Sequence, residues 1–275
     1  TTVAEHRGKR AGYARYALEL VGREEIPVAA GADASLGRYR EWPALPDEDV
    51  YWPEPIPPAP TSLNQALDLL ECSVEQDAII AAIGPYTNLA LLEERSPGIL
   101  RGAKLCLMGG YMVPPREGFP AWGSDIDYNV QADVRSAQYV IERSNPTLVP
   151  LSVTVETSLR KAYLETLRRS GPLTRLIARQ AEAFARDEDM EARFGRTFEG
   201  LPEDIINFQH DALACAIALG WNEGVEISEV PLETGIEDGW LRQRVDESGK
   251  LTRVVTRVDG DAFNEFWLRS VWNPN

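Results

Sequence analysis

The sequence predicts an α/β fold, a doubly wound, mostly parallel sheet of the Rossmann-like kind with a small C-terminal hairpin. Three observations predict it. Short runs that are apolar throughout recur along the chain and are ended by glycine or proline, which suits parallel strands covered on both faces. Amphipathic stretches lie between them, and such strand–helix alternation implies right-handed crossovers. The 275 residues are 44% hydrophobic and 26% charged, ordinary values for a chain that buries a sizeable core. No internal repeat is visible, and residues 1–275 are assigned to a single domain.

In chain order, a helix is expected around residues 13–20 and a strand at 26–30. Residues 42–60 hold seven prolines and no periodicity. They are expected to run extended over the sheet, with a proline-rich partner motif as the alternative. Thr61-Ser62 is the N-cap of a helix over 63–72, whose Leu63, Ala66, Leu67 and Leu70 form one apolar stripe. Strands follow at 78–83, ended by Gly84, and at 105–108, ended by Gly109-Gly110. A helix over 133–141 leads to a strand at 148–151. Residues 186–200 are polar and interrupted by Gly195, which fits a mobile lid or a solvated loop. A helix over 211–219 is closed by Gly220, and a strand is expected at 225–227. Residues 246–250 are expected to form a hairpin turn leading into an antiparallel strand at 254–256.

Charge and cysteine usage exclude several classes. Lys and Arg number 28 against 43 Asp and Glu, for a formal charge of −15 and a pI near 4.7. A phosphate track needs clustered cations, so neither a nucleic-acid polymer nor an anionic membrane is an expected partner. No apolar run approaches the ~20 residues of a membrane span, and no signal-peptide pattern is read at the opening. Cys72, Cys106 and Cys215 sit in apolar stretches without CxxC spacing. That is the usage of buried thiols in a reducing cytoplasm.

Ligands of open α/β sheets bind beyond the carboxyl ends of the strands. Three such ends carry unusual residues: Gly84-Pro85-Tyr86-Thr87-Asn88, Gly109-Gly110-Tyr111 with the loop reaching Asp125-Ile126-Asp127-Tyr128-Asn129, and His210-Asp211. Asp211 either caps its helix or offers a hard oxygen beside a group that titrates near neutrality. Asp125, Asp127 and Asn129 either belong to a solvated extended loop or line one face of it for a polyhydroxyl ligand or a cation. Trp122, Tyr128 and Phe208 either pack or stack on a ligand.

GPYTNLA, the Met-Gly-Gly turn, the acid–aromatic–Asn cluster and the His-Asp helix start occur in an order that resembles the inosine–uridine-preferring nucleoside hydrolase family. The resemblance runs from Thr1 to about Leu232. It implies hydrolysis of the N-glycosidic bond of ribonucleosides to ribose and free base, assisted by Ca²⁺, in purine or pyrimidine salvage. It further implies a homodimer or homotetramer. Carried over, Asp211 and the carbonyl of Ile83 are calcium ligands, and Asp127, Asn129 and Met108 lie against the ribose. His210 is the catalytic residue that assists the leaving base.

The chain departs from the family pattern in four places. The aspartate cluster DxDxxxDD, which supplies the general base and most calcium ligands, is absent from residues 1–275. Glu5-His6 stands where the family usually has Gly-Asn, Asp127 replaces a Glu, and Ala121 replaces an Asn. The resemblance therefore implies a sheet without its first strand, expected from an upstream segment or another chain. The alternatives are a nucleoside- or ribose-binding protein of the same fold without turnover, and a structural subunit.

Overall fold

In the computed structural model, residues 1–3, 5–37 and 45–272 are described. The helices are α1 (Glu5–Glu19), α2 (Glu48–Tyr51), α3 (Leu63–Glu75), α4 (Thr87–Arg95), α5 (Ile99–Gly102), α6 (Tyr128–Gln131), α7 (Val134–Arg143) and α8 (Leu151–Thr154), followed by α9 (Leu164–Ser170), α10 (Pro172–Asp187), α11 (His210–Ala218) and α12 (Gly260–Trp272). The strands are β1 (Ile79–Ala82), β2 (Lys104–Met108), β3 (Thr147–Val149), β4 (Ser158–Arg160), β5 (Ile205–Phe208), β6 (Glu226–Glu237), β7 (Trp240–Val245) and β8 (Lys250–Arg257).

A six-stranded sheet has the order β1-β2-β3-β8-β6-β7. Its first four strands are parallel, and β6 is antiparallel to both β8 and β7. The register places Leu107 beside Leu148 and Leu148 beside Val254 in one row. That row packs with Leu67 of α3, Leu92 of α4 and Val140 of α7. The neighbouring residues Met108, Val149 and Val255 point to the other face, where Leu213 of α11 and Phe263 of α12 cover them. Period-two alternation with helices on both faces makes the sheet doubly wound, as the apolar runs require.

Helix starts follow the local chemistry. Ser62 and Gln65 form a reciprocal capping box at α3, which buries Ala66, Leu67 and Leu70. Asp133 caps α7. The backbone at His6, Arg7 and Gly8 is left-handed, with φ of 53°, 61° and 80°, so the regular part of α1 begins after that bend.

Other expectations need correction. Residues 26–30 supply only one parallel bridge, Ala30 with Thr2. Residues 45–60 lie on α1 and α10 instead of the sheet, with Trp52 and Ile56 packed against Tyr13, Tyr16 and Leu176; residues 42–44 lie outside the described part. The segment 186–200 is packed, because Met190 and Phe194 are buried with Leu201 and Ile205. The strand expected at 225–227 runs on to Glu237. Residues 246–250 link β7 to β8, but these strands flank β6 and do not pair. The tight hairpin is at Asp238-Gly239, whose φ of 51° and 81° suit a type I′ turn. Cys72 is exposed, whereas Cys106 is buried and Cys215 half-buried.

Candidate active site

The motif after β1 is a bracket of buried polar groups. Tyr86, 1% exposed, donates its hydroxyl to the carbonyl of Met108 at 2.9 Å, and burial pushes that phenol well above its usual range. Thr87 donates to Asp133 at 2.7 Å. The Asn88 amide accepts from the N–H of Ala32 at 2.9 Å and donates to the carbonyl of Thr2 at 3.1 Å. The motif thereby ties the end of β2, the start of α7 and the segment Thr1–Val3 to the carboxyl end of β1.

The Met-Gly-Gly turn makes room for this bracket. Gly109 has φ 141°, and a Cβ there would come within 2.7 Å of the Tyr86 hydroxyl. Asp127 does not lie on an extended segment: a 3₁₀ turn, Ser124–Ile126, precedes it, and Asp127 caps α6. Its carboxylate accepts from Gly110 N–H at 2.6 Å and from Val130 N–H at 3.3 Å. It is 2% exposed, and burial raises its pKa to about 6 against the pull of those N–H groups. Asn129 donates to the Met108 carbonyl at 3.1 Å, with the Met108 sulfur equally near.

Asp211 and His210 open α11 from β5. The N-cap is Gln209, without a side-chain capping bond, so Asp211 does not act as the cap. Among the described residues Asp211 has no hydrogen-bonded or ion-paired partner, and desolvation raises its pKa to about 6. His210 is oriented instead. Its Nδ1 lies 2.7 Å from the Thr154 hydroxyl, its ring stacks on Phe208 at 5.3 Å, and burial lowers its pKa to about 4.

Two cavities meet at Asp211. The first, of about 560 Å³, is lined by Thr1–Val3, Ile80–Pro85, Asn88, Asn129 and Asp211. The second, of about 520 Å³, is lined by His210, Phe208, Tyr13 and Trp52, and Arg10 borders both. The structure thus gathers Ile83, Asn129 and Asp211 at one cavity and places His210 at the next. Asp127 and Met108 lie behind the wall and hold it. Sequence reasoning singled out the stretch Tyr86-Thr87-Asn88 without assigning its side chains a role, and passed over Asp133, Arg10 and Thr154 as site residues.

Among the described residues β1 is bonded only to β2. Its first residue, Ile79, and Ile83 just after it are 52% and 41% exposed despite their apolar side chains. Among the described residues no group of three or more His, Cys, Asp and Glu converges on a metal position. The donors present, the Asp211 carboxylate and the Ile83 carbonyl, are hard oxygens that fit part of a Ca²⁺ shell of ~6–8 ligands. Asp211 is exposed at the cavity, so among the described residues its carboxylate is open to a cation.

The profile of the inosine-uridine preferring nucleoside hydrolase family matches residues 7–265. The pyrimidine-specific ribonucleoside hydrolase RihA of Citrobacter koseri is 29% identical over 257 residues, covering 88% of this chain and 72% of that protein. RihA of an Enterobacter strain is likewise 29% identical, over 251 residues, with the same coverage of both chains. Among solved structures, the purine-preferring ribonucleoside hydrolase from Gardnerella vaginalis superposes with a TM-score of 0.72 at 20% identity, covering 93% of this chain and 82% of that one. The plant nucleoside hydrolase PpNRh1 gives 0.69 at 20% identity, covering 96% and 86%.

Proposed function

The chain belongs to the inosine-uridine preferring nucleoside hydrolase family, and on that premise we propose that its paired cavities bind and cleave a ribonucleoside, ribose in the first and base in the second. The enzyme is a nucleoside hydrolase. The observation that carries the site assignment is Asp211, a carboxylate exposed at the junction of the two cavities and without a hydrogen-bonded partner among the described residues. When bound there, Ca²⁺ supplies positive charge that orders an attacking water and ribose hydroxyls.

The protein's own groups do the rest. Breaking the glycosidic bond builds oxocarbenium character on the sugar, so a carboxylate near the ribose stabilises the transition state more than the ground state. Asn129, fixed by its bond to the Met108 carbonyl, presents its amide oxygen to a sugar hydroxyl. Asp127 holds the Gly109-Gly110 turn and Met108 supports Asn129, so both serve the ribose cavity from behind its wall. His210 faces the base. Its lowered pKa keeps it neutral at pH 7, so it acts there through a hydrogen bond to the leaving base, oriented by Thr154. The curated relatives suggest uridine and cytidine as the first substrates to test.

We further propose that one more strand, parallel to β1, completes the cavity wall with carboxylates. Supporting this are the edge of β1, unpaired among the described residues, and the exposed apolar side chains of Ile79 and Ile83, since covering apolar surface is favourable. Assembly as a homodimer or homotetramer and a cytoplasmic location belong to the same reading. Sedimentation and cell fractionation test them.

The decisive test is ribose release by the full-length protein with Ca²⁺, with a chelator, and after Asp211→Ala. Loss of at least ~100-fold in the last two is expected, on the scale of removing an electrostatic stabiliser. Activity indifferent to both sinks the metal assignment. A second reading, nucleoside binding without turnover, is favoured by Asp127, whose carboxylate is already committed to Gly110 and Val130. Calorimetric binding of uridine without product formation selects it.

A further inference from the structure

The loop that leaves Gly110 and reaches Gly123 is fastened outside the cavities by one ion pair. Arg116 donates from Nε to one oxygen of Glu156 at 2.8 Å and from Nη2 to the other at 2.5 Å. The Glu156 side chain is 3% exposed and that of Arg116 is 64% exposed, so the carboxylate is built into the protein and the arginine closes over it. A two-pronged pair of this kind is more directional than a surface contact.

Both partners lead to the same ring. Glu156 lies two residues after Thr154, whose hydroxyl meets His210 Nδ1, and one before Thr157, whose carbonyl accepts the N–H of Gln209. Beyond Arg116, the Gly118 carbonyl accepts from Gly200 N–H, and Trp122 comes edge-on to Phe208 at 5.1 Å and within 6.1 Å of His210. The imidazole is therefore held between the end of α8 and the 111–123 loop, and the ion pair joins that loop to the turn that follows α8.

We propose that Arg116 and Glu156 are positioning residues: their pair locks loop 111–123 to the turn after α8 and so fixes the aromatic surround of His210. This rests on the reading of His210 as the residue that meets the leaving base. Misplacement of a catalytic group by ~1 Å can cost about 100-fold, so a latch remote from the cavity is felt in turnover.

The test uses the full-length protein and two readouts. With only His6 and His210 in residues 1–275, the ring Cε1–Hε1 NMR signals are few, and His210→Ala assigns one of them. Arg116→Ala is expected to shift or split the His210 signal while the His6 signal stays, and Arg116→Lys to restore it in part. In turnover, Arg116→Ala should lower kcat for uridine about tenfold more than for a riboside with a nitrophenolate leaving group, which needs little help to depart. An unmoved His210 signal in Arg116→Ala and Glu156→Gln, with an unchanged ratio of the two substrates, overturns the proposal. If His210→Ala leaves that ratio unchanged, the leaving-group reading has failed, and the NMR signal alone decides whether the pair holds the ring. Should Arg116→Ala not fold, Arg116→Lys and Glu156→Gln carry both readouts.

Discussion

Asp127 shows how one residue's role turns on its surroundings. The family resemblance implies that it is a ribose ligand; in the fold its carboxylate is a buried acceptor for two backbone N–H groups. Its folded pKa of about 6 lies above the ordinary 3.8. The unfolded chain thus gives up this proton first, and the stabilising effect of protonation, complete below about pH 4, is lost as pH rises through about 6. Wild-type stability should fall by up to about 3 kcal/mol across that window on this account. Asp127→Asn should remove that slope while losing one capping bond, at about 1 kcal/mol. Urea unfolding at pH 4 and pH 7 measures both, and identical slopes in the two proteins would contradict the assignment. At Asp133 the loss of hydrogen bonds alone has a larger effect. Its carboxylate accepts from Leu36 N–H, Thr87, and both the N–H and hydroxyl of Ser136. Asp133→Ala strands those donors and should cost about 3–5 kcal/mol, seen as a large drop in Tm.

At the scale of elements, α3 and the 238–239 turn follow local rules. Ser62→Ala breaks the capping box and should cost about 1 kcal/mol, with no effect on nucleoside binding, because Ser62 lies outside both cavities. An effect on uridine affinity would show that α3 is coupled to the site. The Asp238-Gly239 hairpin was not expected although its dipeptide is a type I′ signal, and the hairpin was placed instead at 246–250, where a glycine between charged residues gives a similar outward signal. Only pairing distinguishes them, since β6 occupies the place between β7 and β8. The expected strand at 26–30 failed for a related reason: an apolar run becomes a strand only where a neighbour runs beside it, and there only Thr2 does.

For the whole molecule, the edge of β1 makes a prediction about dynamics. If a further strand closes the first cavity in the full-length protein, amides of residues 79–82 should be protected from hydrogen exchange. Rapid exchange there, at the rate of exposed loops, would mean that the cavity stays open. The charge of −15 makes a second one: retention on a polyanion column should be absent at ~0.15 M salt, where screening leaves only clustered cations able to hold.

By itself, the sequence determined the class of fold, the strands β1, β2 and β3, helices between them, and the three strand ends that carry the candidate site. Hydrophobic period, helix caps and glycine stops act over a few residues and need no knowledge of the rest of the chain. The tertiary structure alone decided that Asp211 opens onto both cavities, that Asp127 is buried, and that Arg116 pairs with Glu156. Those facts depend on which groups, 17 to 132 positions apart in contacts such as Gly110 with Asp127 and Tyr111 with Gln243, arrive in the same few ångströms. Charge, burial and hydrogen bonding of a side chain are properties of that neighbourhood and are absent from the residue's name.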